Sequence, residues 1–87
     1  MTDLLTTLEN HQLWIDGDPA GVRADLTGAD LRGADLSFED LRHGNLSYTN
    51  LTGANMARVD LRGTDLTGAN LTGATLTVED LIGATLT

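Results

Sequence analysis

Residues 24–53 read ADLTGADLRGADLSFEDLRHGNLSYTNLTG, and a leucine returns at every fifth position. The spacing continues to residue 86, with one methionine in place of a leucine. An Asp or Asn precedes the central residue in eleven of thirteen repeats, and an alanine often stands two positions before it. A pattern this regular predicts a repeat architecture. The central residues are Leu26, Leu31, Leu36, Leu41, Leu46, Leu51, Met56, Leu61, Leu66, Leu71, Leu76, Leu81 and Leu86.

A period of five fits neither a straight helix nor a straight strand. On a helix each leucine would be rotated by about 140° from the last, so no single apolar face would form. On a strand, successive leucines would point to opposite faces. All leucines can face one interior only if the chain turns a corner within each repeat. We therefore expect the central residue and the residue two before it to point inward, and the other three to point outward.

The residue two after the central leucine indicates the corner. It is glycine in seven repeats, which is typical of the third position of a type II turn, where φ is positive. Five corners lack glycine, and for these we expect a different turn. Their residues are Phe38, His43, Tyr48, Arg58 and Val78.

Three of these exceptions, Phe38, Arg58 and Val78, are twenty residues apart. Four five-residue sides per coil would stack them in one column, whereas three or five sides would scatter them. The sequence thus predicts an all-β solenoid, a quadrilateral β-helix of about three and a quarter coils over residues 24–87.

Residues 1–23 are expected to form an N-terminal capping helix and a turn. The helix should run from Thr2 to about Ile15, with Thr2 or Asp3 as N-cap. One face would carry Leu4, Leu5, Leu8, Gln12 and Ile15, with His11 at its edge. Trp14 should pack on the first coil. The residues assigned to the cap are Leu4, Leu8, Leu13, Trp14 and Ile15.

A calcium loop is one alternative for the turn that follows. Asp16 and Asp18 are spaced like the first two ligands of such a loop, but Ala20 and Thr27 occupy the positions of the third and the last. We therefore assign no metal site and no cofactor. His11 and His43 are the only histidines, nothing in the sequence places either beside a nucleophile, and a leucine-filled interior leaves no pocket. No enzymatic activity is expected.

Composition narrows the possible partners. The net charge is −8, all five cations are arginines and cysteine is absent. Such a chain should repel nucleic acid and anionic membranes, and it could attract a basic protein surface. Acidity that serves only solubility is the alternative. No signal peptide or membrane span is recognised, so a cytoplasmic location is expected.

A candidate partner-binding edge surrounds the column of corners without glycine. Glu39 and Glu79 occupy inward positions, where an unpaired carboxylate is costly. Either the backbone rotates and releases them to solvent, or Arg58 reaches one of them. The stacked aspartates beside them should repel each other, and Arg42 and Arg62 should offset part of this. The edge comprises Phe38, Glu39, Asp40, Arg58, Asp60, Val78, Glu79 and Asp80.

The last coil is a candidate self-association end, because no capping segment follows it within this sequence. An uncovered end exposes core leucines and unpaired backbone. We expect an end-to-end, two-fold homodimer. The residues of this end are Leu76, Val78, Leu81, Ile82 and Leu86.

The segments Ala29–Gly33 (ADLRG) and Ala69–Gly73 (ANLTG) show the consensus A(D/N)LxG in full. The chain resembles the pentapeptide-repeat family, which implies that the quadrilateral β-helix is right-handed. The family has no common activity. Two functions follow as hypotheses: a small non-enzymatic structural or protein-interaction module, or a DNA mimic that binds DNA gyrase or another type II topoisomerase, as the best-understood members do. Against the second, one monomer should be shorter than a turn of DNA, about 34 Å.

Overall fold

The computed structural model describes residues 3–77 and 79–87, in which one helix precedes a coil of short sides and turns. Helix α1 spans Leu4–Ile15, and its N-cap Asp3 accepts a hydrogen bond from the Thr6 N–H at 2.7 Å. The predicted helix is therefore confirmed, with Asp3 as its cap. The other N-cap candidate, Thr2, lies outside the described residues.

Parallel pairing joins each side of the coil to the side twenty residues later. Asp25 pairs with Asn45, and Asn45 pairs with Asp65. In each such rung a leucine N–H donates to the next coil, as Leu26 does to the Asn45 carbonyl at 2.8 Å, and Asn45 N–H donates back to the Ala24 carbonyl at 3.0 Å. The described bridges are one residue long because a corner follows each. The twenty-residue step requires four five-residue sides, as the sequence predicts.

The core is the column of central residues inside the coils. From Leu36 to Leu51 and at Met56 these side chains are 0% exposed, and the small residue Ala54 is equally buried. Two inward threonines satisfy their hydroxyls by donating to carbonyls, Thr49 to Leu46 at 2.8 Å and Thr64 to Leu41 at 2.7 Å. The inward positions are thus confirmed in these coils, and the two buried hydroxyls are hydrogen-bonded as burial requires.

The corners share one backbone conformation whether or not they carry glycine. Gly28 has φ of 70°, and the turn is closed by Ala29 N–H donating to the Leu26 carbonyl at 2.9 Å. The expectation of a different turn at the other corners was wrong, because coil closure imposes the same chain path and outweighs a left-handed cost of about 1–2 kcal/mol per residue. Positive φ also occurs at Phe38 (62°), His43 (64°), Tyr48 (60°) and Arg58 (56°). Val78, the fifth, lies outside the described residues.

The regular path changes in the last coil. Residues Glu79–Leu81 form a 3₁₀ turn, in which Asp80 N–H donates to the Thr77 carbonyl and Ile82 N–H donates to the Glu79 carbonyl, both at 3.1 Å. The same column carries a regular bridge one coil earlier, between Asp40 and Asp60. This departure opens the surface beside Asp60.

Candidate functional site

The outward Asp and Asn side chains stabilise the chain locally. Each typically accepts the backbone N–H two residues later, as Asp25 does from Thr27 at 3.2 Å, and the Thr27 hydroxyl donates to the same oxygen at 2.7 Å. This Asx turn explains why short polar residues precede the central leucine. It also lowers the pKa of Asp25, because the carboxylate is the form that accepts these bonds.

One face carries arginine in place of threonine and forms an ion-pair ladder. Arg42 contacts Asp40 at 2.7 Å and Asp60 at 3.7 Å, and Arg62 contacts Asp60 at 2.6 Å. The guanidinium hydrogen bonds are the main cause that lowers the pKa of both carboxyls. The predicted compensation of these stacked aspartates is confirmed.

Asp80, the third aspartate of this column, behaves differently. Its Oδ2 accepts a hydrogen bond from the Thr77 N–H at 2.8 Å within the 3₁₀ turn. The ion-pair ladder therefore runs from Asp40 through Arg42 and Asp60 to Arg62. Asp80 lies outside the ladder, beside the adjacent surface.

The edge beside the ladder presents an aromatic side chain to solvent. Phe38 is 75% exposed, and its N–H donates to the Ala57 carbonyl at 2.9 Å, so the Phe38 corner stacks on the Arg58 corner. The structure thus brings Phe38, Arg58 and the aspartates of the ladder to one edge. Val78, also assigned to this edge, lies outside the described residues.

The two glutamates of this edge differ. Glu39 is half-buried, and this partial burial, with a smaller contribution from Asp35, raises its pKa. Glu79 is exposed in the 3₁₀ turn. The ion pairs found among residues 3–77 and 79–87 all use aspartate, so a pair between Glu39 and Arg58 is not formed there. Of the two predicted alternatives, release to solvent describes Glu79 fully and Glu39 only in part.

A cleft of about 320 Å³ lies between the ladder and the 3₁₀ turn. The expectation that no pocket of this size exists was wrong. The core is filled as expected, but the irregular path of the last coil leaves a surface groove that no periodic pattern predicts. A groove of about 210 Å³ also lies between α1 and the first coil. The larger cleft is lined by Val59, Asp60, Leu61, Arg62, Glu79, Asp80 and Ile82.

The candidate self-association end is more open than the middle of the solenoid. Leu76 and Leu81 are half-buried, Leu86 is 46% exposed and Ile82 is 68% exposed. The described residues of this end therefore form an apolar surface, and Ile82 also lines the cleft.

The inward face of the cap overlaps the predicted one but is rotated toward His11. Leu8 is buried, Leu4, Leu13 and Ile15 are half-buried, and Trp14 is exposed to 37%. Two residues predicted on the buried face, Leu5 and Gln12, are exposed, because the inward face is centred on Leu8 and His11.

His11 docks the cap on the first coil, a role that the sequence did not predict. It is 0% exposed, stacks on Trp14 with ring centroids 5.5 Å apart, and makes two hydrogen bonds to the first coil. Its position three residues after Leu8, on the same side of the helix, was the available signal. Trp14 in turn meets His43 edge-on at 6.4 Å, so it contacts the first coil as predicted.

The turn after α1 uses its carboxylates for local hydrogen bonds. Asp18 accepts from the Ala20 N–H at 2.8 Å, and Asp16 accepts from the Gln12 amide at 3.1 Å. Within residues 3–77 and 79–87, no cluster of three candidate ligands could hold a metal ion. In the same part of the chain, no helix has the length and apolar character needed to span a membrane.

The family model described as pentapeptide repeats matches eight copies, over residues 22–47 and 40–77. The chain belongs to the pentapeptide-repeat family, and its fold is a β-helical solenoid of the kind formed by such repeats. No curated protein gives a significant match.

Three solved structures of pentapeptide repeat proteins are similar to the chain. One from the cyanobacterium Cyanothece 51142 is 38% identical over 72% of this chain and 36% of its own, with a TM-score of 0.36. One from Nostoc Pcc 7120 is 24% identical over 97% and 95%, with a TM-score of 0.34. One from the Arabidopsis thaliana thylakoid lumen is 32% identical over 74% and 55%, with a TM-score of 0.28. The chain thus spans just over a third of the first of these proteins.

Proposed function

We propose that this protein is a small, non-enzymatic interaction module, a right-handed quadrilateral β-helix of about three and a quarter coils that binds a basic protein surface through the Phe38 edge. The observation that carries the proposal is the environment of Phe38. Its ring is 75% exposed at a corner with φ of 62°, beside the half-buried carboxylate of Glu39. An exposed aromatic residue with neighbouring anions suits recognition of a partner that presents an apolar group and a cation.

The charge of the edge supports the same class of partner. Asp40 and Asp60 are paired with Arg42 and Arg62, so the ladder is locally neutral, whereas Glu39 and Glu79 add negative charge at its side. The whole chain carries −8. We also propose the cytoplasm as its location, since a chain without cysteine needs no oxidising compartment to fold.

The experiment compares two exposed aromatic corners. Phe38→Ser removes the proposed contact, and Tyr48→Ser is its matched control, because Tyr48 is 65% exposed with φ of 60° on a different corner. Each tagged variant and the wild type is used as bait, and bound proteins are quantified. A partner retained by wild type and Tyr48→Ser but lost with Phe38→Ser supports the edge. Partners that are lost equally with both variants contradict it.

We further propose that the last coil mediates an end-to-end homodimer. Ile82 and Leu86 present apolar area there, and burying such area in a symmetric contact would stabilise the pair. The double variant Ile82→Glu with Leu86→Glu should be monomeric by light scattering, whereas Leu5→Glu, at an exposed leucine of α1, should leave the dimer intact. A wild type that is already monomeric at micromolar concentration contradicts this proposal.

The ladder argues against the alternative of DNA mimicry. A DNA mimic needs a row of free anions, and the stacked aspartates of this face are instead paired with arginines. We expect no inhibition of gyrase supercoiling at tens of micromolar protein. Inhibition that survives Phe38→Ser would favour the mimic over the interaction edge.

A further inference from the structure

His11 joins α1 to the first coil. No coil precedes this one, and the His11 side chain makes hydrogen bonds that the backbone makes at the later corners. In the next coil, the carbonyl of Arg62 accepts the His43 N–H at 3.1 Å. The equivalent carbonyl of the first coil, that of Arg42, instead accepts the His11 Nε2–H at 3.0 Å. A side chain of the helix thus completes the rung at this corner.

The same imidazole also completes the turn. At later corners of this column the N–H donates to a carbonyl three residues back, as Gly44 does to Leu41 at 2.9 Å. At the first corner the Ala24 N–H donates to His11 Nδ1 at 2.9 Å. Because Nδ1 accepts and Nε2–H donates, the contact requires the neutral Nε2–H tautomer.

Protonation is incompatible with this arrangement. A proton on Nδ1 would face the Ala24 N–H, so two donors would meet in a site that is 0% exposed. The ionisable groups nearby are Arg23 and His43, which disfavour a positive charge on His11, and Asp40, which favours it. Burial has the largest effect and lowers the pKa of His11.

Apolar packing and backbone contacts also dock α1 on the first coil. Leu8 belongs to the core cluster, and Val22 N–H donates to the Asn10 carbonyl at 3.0 Å. Gly21 passes so close to the Trp14 backbone that any side chain would collide with it. The cap therefore packs tightly around His11. We expect a change at this residue to affect the whole interface between α1 and the first coil.

We propose that His11 is a pH-sensitive latch, and that protonation of its Nδ1 releases α1 and uncovers the apolar end of the first coil that Leu8 covers. The latch does not involve the Phe38 edge. A negative result for the latch therefore leaves the proposed partner binding untouched, and a negative result for partner binding leaves the latch untouched. The sign follows from linkage. The docking of α1 is fully stable above the ordinary histidine pKa of about 6.5. It weakens as the pH falls from there toward the lowered pKa of docked His11.

Amide hydrogen exchange on the full chain tests the latch between pH 7.5 and 5. After correction for intrinsic exchange, protection of the α1 amides relative to the coil amides should fall by about tenfold per pH unit below about 6.5, because one proton is taken up. His11→Gln keeps one donor and one acceptor and should remove this dependence. His43→Gln removes the other imidazole, which meets Trp14 edge-on but makes neither of the two His11 hydrogen bonds, and it should retain the pH dependence. Constant α1 protection in the wild type, or a fall that persists in His11→Gln, would overturn the proposal.

A second measurement covers the case in which His11→Gln does not dock. The imidazole resonances of the wild type are titrated by NMR while the emission of Trp14, which stacks on His11, is followed. Titration of His11 below 6.5, accompanied by the same transition in Trp14, is the expected result. Titration of His11 at or above 6.5 with protected α1 amides contradicts the latch.

Discussion

The middle of the solenoid, residues 40–68, and its last coil, residues 71–87, have the same repeat and differ in packing. Leu46 and Leu61 are at most 1% exposed, whereas Leu71 and Leu81 are half-buried and Leu86 is 46% exposed. In the middle the coils pair on both sides, and in the last coil the chain enters a 3₁₀ turn and borders a cleft. A pentapeptide motif therefore defines the path of the chain, but neighbouring coils determine how much stability each copy contributes.

Truncating leucines should show this difference most strongly. Leu46→Ala should lower the free energy of unfolding by about 2–5 kcal/mol, because a fully buried side chain leaves a cavity. Leu86→Ala, at an exposed position of the same column, should cost less than about 1 kcal/mol. Urea denaturation of both variants measures the effect. Equal losses would mean that the last coil is as well packed as the middle.

Glycine corners should distinguish the two regions by a smaller amount. Gly68 and Gly73 have φ of 70° and 69°, so alanine should cost about 1 kcal/mol at either. At Gly68 the new methyl would also meet the ring of Tyr48, whereas the nearest atom at Gly73 is 3.8 Å away. We expect Gly68→Ala to cost about 1 kcal/mol more. Adding Tyr48→Gly should remove that difference, and its persistence would contradict the ring contact.

Acid should have the smallest effect, and it should act on the middle. The folded state lowers the pKa of Asp40 and Asp60, so their contribution to stability is complete above about 4 and is lost as the pH falls below that value. Arg42→Gln should weaken this dependence between pH 5 and 2.5. Arg58→Gln, which removes an arginine from outside the described ion pairs, should retain it. Denaturation at each pH measures the difference, and identical curves would contradict the ladder.

The solenoid was predictable because an odd five-residue period leaves the chain few ways to bury every leucine. The corners without glycine at Phe38, Arg58 and Val78, which are twenty residues apart in the sequence, also predicted twenty residues per coil. The shared turn at these corners was not predictable from local preference, because closure of the coil overrides the cost of positive φ. The cleft at Asp60 was also missed, since it results from a break in the repeat. His11 was placed only at the edge of the helix face, because a histidine in a helix resembles any polar residue until its two backbone partners are known.

The twenty-residue register has a consequence for insertions and deletions. A segment of five residues added between Asp40 and Asp60 would shift every later side by one face, so that Asp60 would no longer stack on Asp40. A segment of twenty would lengthen the solenoid and keep every column aligned. Lineages that vary in length should therefore gain and lose whole coils wherever a column of side chains matters, and single repeats only where none does.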